Sequence, residues 1–254
     1  MPLTNPLKQK LARGETCLGT MVTMPSAPLV QLLAGCGFDW VLIDMEHGPI
    51  GPESMQSMIT ATAPSGSVPL VRVPATDPWM TKIPLDAGAL GLFYPMVTSV
   101  ERTRDAVSAS TYPPIGTRGF GPFNATSRWN INRSNYVAEA DAVLLRVIMI
   151  EHVEAIDVID DMVSVEGFDV AFIAPFDLSQ SLGCAGDFDH PDFRRAVAKA
   201  EKAITALDVV LGGLAPSAEA GKAMEERGYR FLMMGYDGLI IETAARQLVE
   251  QMRD

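Results

Sequence analysis

Cysteine, histidine and positive charge are all scarce in this chain, and each shortage excludes something. The three cysteines, Cys17, Cys36 and Cys184, are odd in number, widely spaced and without a C-x-x-C pair. Neither a disulfide framework nor a zinc knuckle is supported, and a reducing cytoplasm is the expected setting. Lys+Arg number 20 against 31 Asp+Glu, a formal charge of −11 with no basic run. Nucleic acid is therefore not an expected partner, because phosphate backbones are bound by clustered cations. No stretch reaches the roughly 18 apolar residues that a membrane span needs. The N-terminal Met-Pro-Leu-Thr-Asn-Pro-Leu-Lys is mixed and polar, so neither a membrane nor a targeting segment is expected. Also missing are a GxxxxGK[ST] loop for nucleotides and a serine nucleophile elbow.

What is present is enough apolar material, 48% of residues, to bury a sizeable core and exclude global disorder. Short apolar runs rich in β-branched residues recur at 17–23, 40–44, 70–73, 91–95, 143–150, 169–174, 209–214 and 231–235. Their apolar content is continuous, as in parallel strands covered on both faces. Helical patterns fill the gaps at 27–36, 53–63, 78–87, 100–110, 153–164, 191–207, 217–227 and 239–252. Ser217, and Asp189 before His190-Pro191, read as helix starts, while Gly35, Gly37, Gly88, Gly167 and Gly228 read as left-handed helix ends. Eight strands alternating with eight helices over residues 1–254 make one (β/α)8 TIM barrel. A doubly wound open sheet is the rival, but the first strand runs into Met24-Pro25-Ser26-Ala27-Pro28 rather than a glycine-rich phosphate loop. Residues 111–141, rich in Gly and Pro, read as a long functional loop with a short helical piece near its end.

In such a barrel the active site lies at the carboxyl ends of the strands, and polar residues gather there. Strand 2 ends in Asp44-Met45-Glu46-His47, strand 3 carries Arg72, strand 5 ends in Glu151-His152, and strand 6 runs into Pro175-Phe176-Asp177. Glu151 and Asp177, from adjacent strand ends, can converge on one cation and leave most of its coordination open, which suits Mg²⁺ or Mn²⁺ better than zinc. Each could instead cap the turn that follows it. Arg72 interrupts a buried apolar run and needs either a salt bridge to Asp44 or Glu46 or a ligand oxygen. His47 is the candidate proton acceptor, with Asp44 or Asp86 to fix its tautomer; His152 and His190 read as outward-facing. None of the six lysines, Lys8, Lys10, Lys82, Lys199, Lys202 and Lys222, falls in a strand, which disfavours imine chemistry.

The runs Gly35-Cys36-Gly37-Phe38-Asp39-Trp40, Leu42-Ile43-Asp44-Met45-Glu46-His47, Pro69-Leu70-Val71-Arg72-Val73-Pro74, Leu85-Asp86-Ala87-Gly88-Ala89, Tyr94-Pro95-Met96-Val97, Gly116-Thr117-Arg118-Gly119 and Phe172-Ile173-Ala174-Pro175-Phe176-Asp177-Leu178-Ser179 carry a likeness that covers nearly the whole chain. The sequence resembles the HpcH/HpaI aldolases, metal-dependent pyruvate aldolases related to the citrate lyase β subunit. That resemblance implies a divalent metal (Mg²⁺ or Mn²⁺, with Co²⁺ possible) on Glu151 and Asp177, and Arg72 over the keto or enolate oxygen. It implies a His47–Asp86 proton-transferring pair supported by Asp44, and a 2-oxo-acid carboxylate on backbone amides of Ala174, Pro175, Phe176 and Asp177. It also implies an aldehyde as second substrate and a hexamer of three dimers that exchange the last helix. Ala174 and Phe176 stand where the family has glycine and a small residue, Phe93-Tyr94 is bulkier than the usual pair, His152 replaces a frequent threonine, and Pro84 is expected to interrupt the helix before Asp86.

Overall fold

The computed structural model describes residues 2–253. Eight parallel strands, β1 (Cys17–Val22), β2 (Trp40–Asp44), β3 (Val68–Arg72), β4 (Gly91–Tyr94), β5 (Leu145–Ile150), β6 (Val170–Ile173), β7 (Val210–Leu214) and β8 (Phe231–Tyr236), close into a barrel in sequence order. The helices are α1 (Pro6–Ala12), α2 (Ala27–Ala34), α3 (Pro52–Ala61), α4 (Pro78–Ala87), α5 (Val100–Ser110), α6 (Phe123–Arg128), α7 (Arg133–Val143), α8 (Val153–Asp157), α9 (Ile159–Val163), α10 (Pro175–Ser181), α11 (Pro191–Thr205), α12 (Ala218–Glu226) and α13 (Asp237–Arg253). The (β/α)8 expectation is borne out.

Period-2 alternation along each strand divides the core. Trp40 and Leu42 of β2, with Leu145, Val147 and Met149 of β5, point into the barrel, whereas Val41, Ile43, Ile148 and Ile150 point out beneath the helices. Inside, the Trp40 ring stacks on Phe231 at 4.3 Å. It lies so close to β1 that a Cβ on Gly19 would fall 2.0 Å from it, so only glycine fits there. Loss of this indole is expected to cost about 3–5 kcal/mol. The same alternation, continued to the strand ends, turns Asp44, Arg72 and Glu151 inward at the mouth.

Several local expectations are corrected. Residues 111–141 hold two helices rather than one short helical piece, because the Gly/Pro-rich stretch ends at Pro122 and α6 and α7 follow. Val143 closes α7 rather than opening β5, and the helix expected at 153–164 breaks at Val158 into α8 and α9. His190, not Asp189, caps α11, its Nδ1 accepting from Asp192 N at 3.2 Å. Gly35 stays right-handed (φ −71°), and Gly37 makes the left-handed turn (φ +99°). Helix α4 runs through Pro84 to Ala87 and ends on Gly88 (φ +107°), so Pro84 does not interrupt it. Helix α1, absent from the sequence reading, is started by Asn5, whose Oδ1 accepts from Leu7 N and Lys8 N. Its Leu7 and Leu11 join the barrel interior.

Helix α13 is rooted by Asp237, fully buried, which accepts from Thr23 N, Met24 N, Thr23 Oγ1 and Gly238 N at 2.8–3.0 Å. From Ile241 to Arg253 every residue is exposed, including Ile241, Leu248, Val249 and Met252. No helix among the described residues is long and apolar enough to cross a membrane.

Candidate active site

Parallel register sets the first part of the site. Asp44 and Arg72 are direct partners across β2 and β3, so two buried, inward-facing side chains of opposite charge meet. Arg72 Nε and Nη2 each donate to an Asp44 carboxylate oxygen at 2.8 Å, the bidentate geometry that fixes a guanidinium most firmly. Asp44 Oδ1 also accepts from the backbone N–H groups of Glu46 and His47, at 3.1 and 3.4 Å. It therefore shapes the loop after β2 as well as the arginine.

Glu46 is the other carboxylate that the sequence offered Arg72, and it reaches the guanidinium alongside Asp44. Its Oε2 lies 3.2 Å from Arg72 Nε and 3.8 Å from His47 Nε2. This is an ion pair without a well-aligned hydrogen bond, since that oxygen is buried and otherwise unpartnered. Burial raises the Glu46 carboxyl above its ordinary range, with Arg72 opposing the shift.

Glu151 follows β5 at the same level and is 4% exposed. It does not cap α8; His152 does, with Nδ1 accepting from Glu154 N. Glu151 Oε1 accepts one bond, from Met96 N at 2.5 Å. Met96 holds a left-handed backbone (φ +52°) to deliver it, a conformation that costs a non-glycine residue of order 1 kcal/mol or more. Burial pushes the Glu151 carboxyl up to about 7, and the charges of Glu46 and Asp177 add to the shift while Met96 N–H and Arg72 counter it. Asp177 is exposed in the first turn of α10, and its carboxylate accepts no hydrogen bond from the described residues. No side-chain group of three or more His, Cys, Asp or Glu forms a metal cage among the described residues. Two carboxylates, one buried among negative neighbours and one unpartnered, fit an open oxygen-ligated divalent cation, which takes its other ligands from water and substrate.

The sequence also placed a pair between His47 and Asp86 and a carboxylate seat on the backbone of residues 174–177. His47, 68% exposed at its side chain, has Glu46 as the carboxylate within 4 Å. Asp86 lies instead on Arg118 at 3.4 Å, beneath Gly121, where a Cβ would come 2.6 Å from its Oδ2. Asp44 reaches His47 only through its backbone, so within one chain neither carboxylate orients the imidazole. In the carboxylate seat Ala174 N–H is spent on Ile150 O and Pro175 has none, which leaves the N–H groups of Phe176 and Asp177. A cavity of about 210 Å³ joins Arg72, His47 and Asp177 to an apolar floor that includes Leu42, Phe93 and Phe172.

Residues 20–244 match the family model described as HpcH/HpaI aldolase/citrate lyase. The chain belongs to this family. A 2-keto-3-deoxy-L-rhamnonate aldolase of Klebsiella pneumoniae is 37% identical over 95% of this chain and 91% of its own length. An HpcH/HpaI aldolase/citrate lyase family protein from Burkholderia cenocepacia has the same fold at TM-score 0.94, 32% identical over 99% of this chain and all of the other. A citrate synthase, SbnG, superposes at TM-score 0.87 with 27% identity over 97% of both chains. The family makes or breaks carbon–carbon bonds with a divalent metal, so the aldolase reading, the lyase class and the metal dependence expected from the sequence hold at the level of the family.

Proposed function

We propose that the protein reversibly cleaves 2-oxo-4-hydroxy acids to pyruvate, or a close 2-oxo acid, and an aldehyde, with Glu151 and Asp177 holding Mg²⁺ or Mn²⁺. The observation that carries this reading is the charge balance at the mouth: Asp44 and Glu46 pair with a single guanidinium, Arg72, and Glu151 and Asp177 add further negative charge beside Glu46. In the cleavage direction the C3–C4 bond breaks, the C4 hydroxyl gives up its proton to become the aldehyde carbonyl, and the electron pair passes to C3 as an enolate that is then protonated to a methyl group.

Glu151 and Asp177 would hold the divalent cation, which would supply Lewis-acid charge to the 2-oxo acid. Arg72, clamped by Asp44, presents a preorganised positive group where charge develops on the keto oxygen. The N–H groups of Phe176 and Asp177 receive the substrate carboxylate at the start of α10. His47 accepts the proton from the C4 hydroxyl, a role commonly contributing about 10²–10⁴ in rate. Glu46, rather than Asp86, is the carboxylate that lies near it within the chain. The same groups would serve a condensing enzyme, and the likeness to a citrate synthase favours that as the second reading. The apolar face of α13 supports a homo-oligomer in which this helix docks on a neighbouring barrel, a hexamer of three dimers being the assembly proposed.

The test is solvent deuterium exchange into the methyl group of pyruvate, with and without Mg²⁺ or Mn²⁺, followed by a screen of aldehydes and 2-oxo acids as acceptors. Metal-stimulated exchange and aldehyde turnover are expected. Exchange with turnover of 2-oxo acids alone would assign the condensing activity, and absence of exchange would remove both.

A further inference from the structure

A row of exposed aromatic rings beside the mouth serves none of the steps above. Phe176 is 59% and Phe188 39% exposed. The two rings meet edge to face at 5.2 Å, and Phe188 tilts against Phe193 at 5.3 Å. Phe193, buried in the first turn of α11, anchors the row in the outer core. Beside the row lies a second cavity of about 260 Å³, lined by Ile173, Val197, Met224 and Tyr229. Pro175, Phe176 and Leu214 line both this cavity and the catalytic one, so the two share a wall. Exposed apolar surface of this extent at a cavity mouth marks a place where apolar ligand surface is taken out of water.

We propose that the side cavity is the subsite for the apolar substituent of the acceptor aldehyde, so that the preferred substrates are 2-oxo-4-hydroxy acids with an alkyl or aryl group on C4. The inference rests on the aldolase reading and adds the class of its second substrate. Position supports it: Phe176 is the neighbour of Asp177, so a chain leaving the reacting carbon on that side meets the Phe176 ring first. The chemistry of the lining supports it independently. The polar side chains there, Arg227 and Tyr229, are both engaged by Glu201, at 3.0 and 2.8 Å. A polyhydroxylated chain would find no side-chain partner there beyond the remaining donors of half-exposed Arg227, a loss that a buried polar group does not recover, while methylene and aryl carbons lose nothing there.

The experiment measures kcat/KM of the Mn²⁺-loaded full chain for pyruvate addition to acetaldehyde, butanal, hexanal, benzaldehyde and glyceraldehyde. The expected result is a rise of about fourfold per added methylene until the cavity is filled, with glyceraldehyde no better than acetaldehyde. Val197→Phe, which fills the cavity from α11, should lower the hexanal-to-acetaldehyde ratio at least tenfold. Phe176→Ala, which removes the shared wall, should lower that ratio by a separate route and keeps the test open if the first variant does not fold. A flat chain-length series, a preference for glyceraldehyde, or an unchanged ratio in the variants would overturn the subsite. Any of these with pyruvate deuterium exchange intact sinks the subsite alone, whereas loss of exchange in the unaltered protein sinks the aldolase reading and the subsite with it.

Discussion

Three arginines are buried in this barrel, Arg72, Arg118 and Arg146, and the contrast between the first and the last separates function from scaffolding. Arg146, on the outer face of β5, donates to Ser110 Oγ at 2.7 Å, to Thr111 Oγ1 at 3.0 Å and to the carbonyls of Ser110 and Asp141. Its guanidinium makes no ion pair among the described residues, and burial lowers its pKa, with the charge of Asp169 opposing the shift. Arg72 is as deeply buried but carries two carboxylates, Asp44 and Glu46, and these hold its proton more firmly even though burial opposes it. Neutral partners distributed around a guanidinium close a packing problem. Acids beyond the number of bases leave an open charge, and at the mouth that excess faces Glu151 and Asp177.

The sharpest way to break the comparison is to make the same change at both places. Arg72→Lys keeps the charge but loses the planar fork that Asp44 grips, and the rate of pyruvate deuterium exchange should fall by about 10²–10³. Exchange within a few-fold of the original rate would place the critical positive charge elsewhere. The charge excess itself should be visible as stability. The Glu151 carboxyl is raised to about 7 from 4.5, so the metal-free folded state favours its protonated form. That contribution is fully present below about pH 4.5 and is lost as pH rises through 7. Metal-free Glu151→Gln, which avoids the ionisation, should therefore be more stable than the metal-free parent at pH 8, by on the order of 3 kcal/mol. The gap should close towards pH 4.5 in urea titrations with chelator present. A gap independent of pH would contradict the assignment. The smallest effect is expected at the scaffold: Arg146→Lys should lower stability by about 2 kcal/mol, seen as a melting temperature lower by about 5 °C, with exchange kinetics unaltered in the folded enzyme.

Legibility in the sequence followed the range of the forces involved. The strands were readable because burial on both faces demands continuous apolar runs, and Asp44, Arg72 and Glu151 stood out because each ends such a run with a charge. Ser217 was readable as a cap because its hydroxyl serves its own helix, accepting from Ala220 N at 3.1 Å. Helices α6 and α7 were hidden by the glycines and prolines just before them. The break at Val158 has no local mark, since no proline or glycine stands there. Asp86 was offered to His47 as a carboxylate to fix its tautomer, and by resemblance as its proton-transferring partner. Its partner, Arg118, comes from the segment after α5, a contact that no periodicity encodes. Glu46 was legible only as an alternative to Asp44 for Arg72; the register of β2 on β3, which sets Asp44 against Arg72, brings both carboxylates to the guanidinium.

The central claim, that Glu151 and Asp177 together hold a divalent cation on a buried excess of negative charge, is tested most directly by calorimetric titration of Mn²⁺ into the metal-free protein and into Glu151→Gln and Asp177→Asn. One ion per chain is expected for the parent, with proton release on binding that grows as pH falls below 7, and no binding in either variant. Mn²⁺ binding of unchanged affinity in either variant, or no binding to the parent, would contradict it.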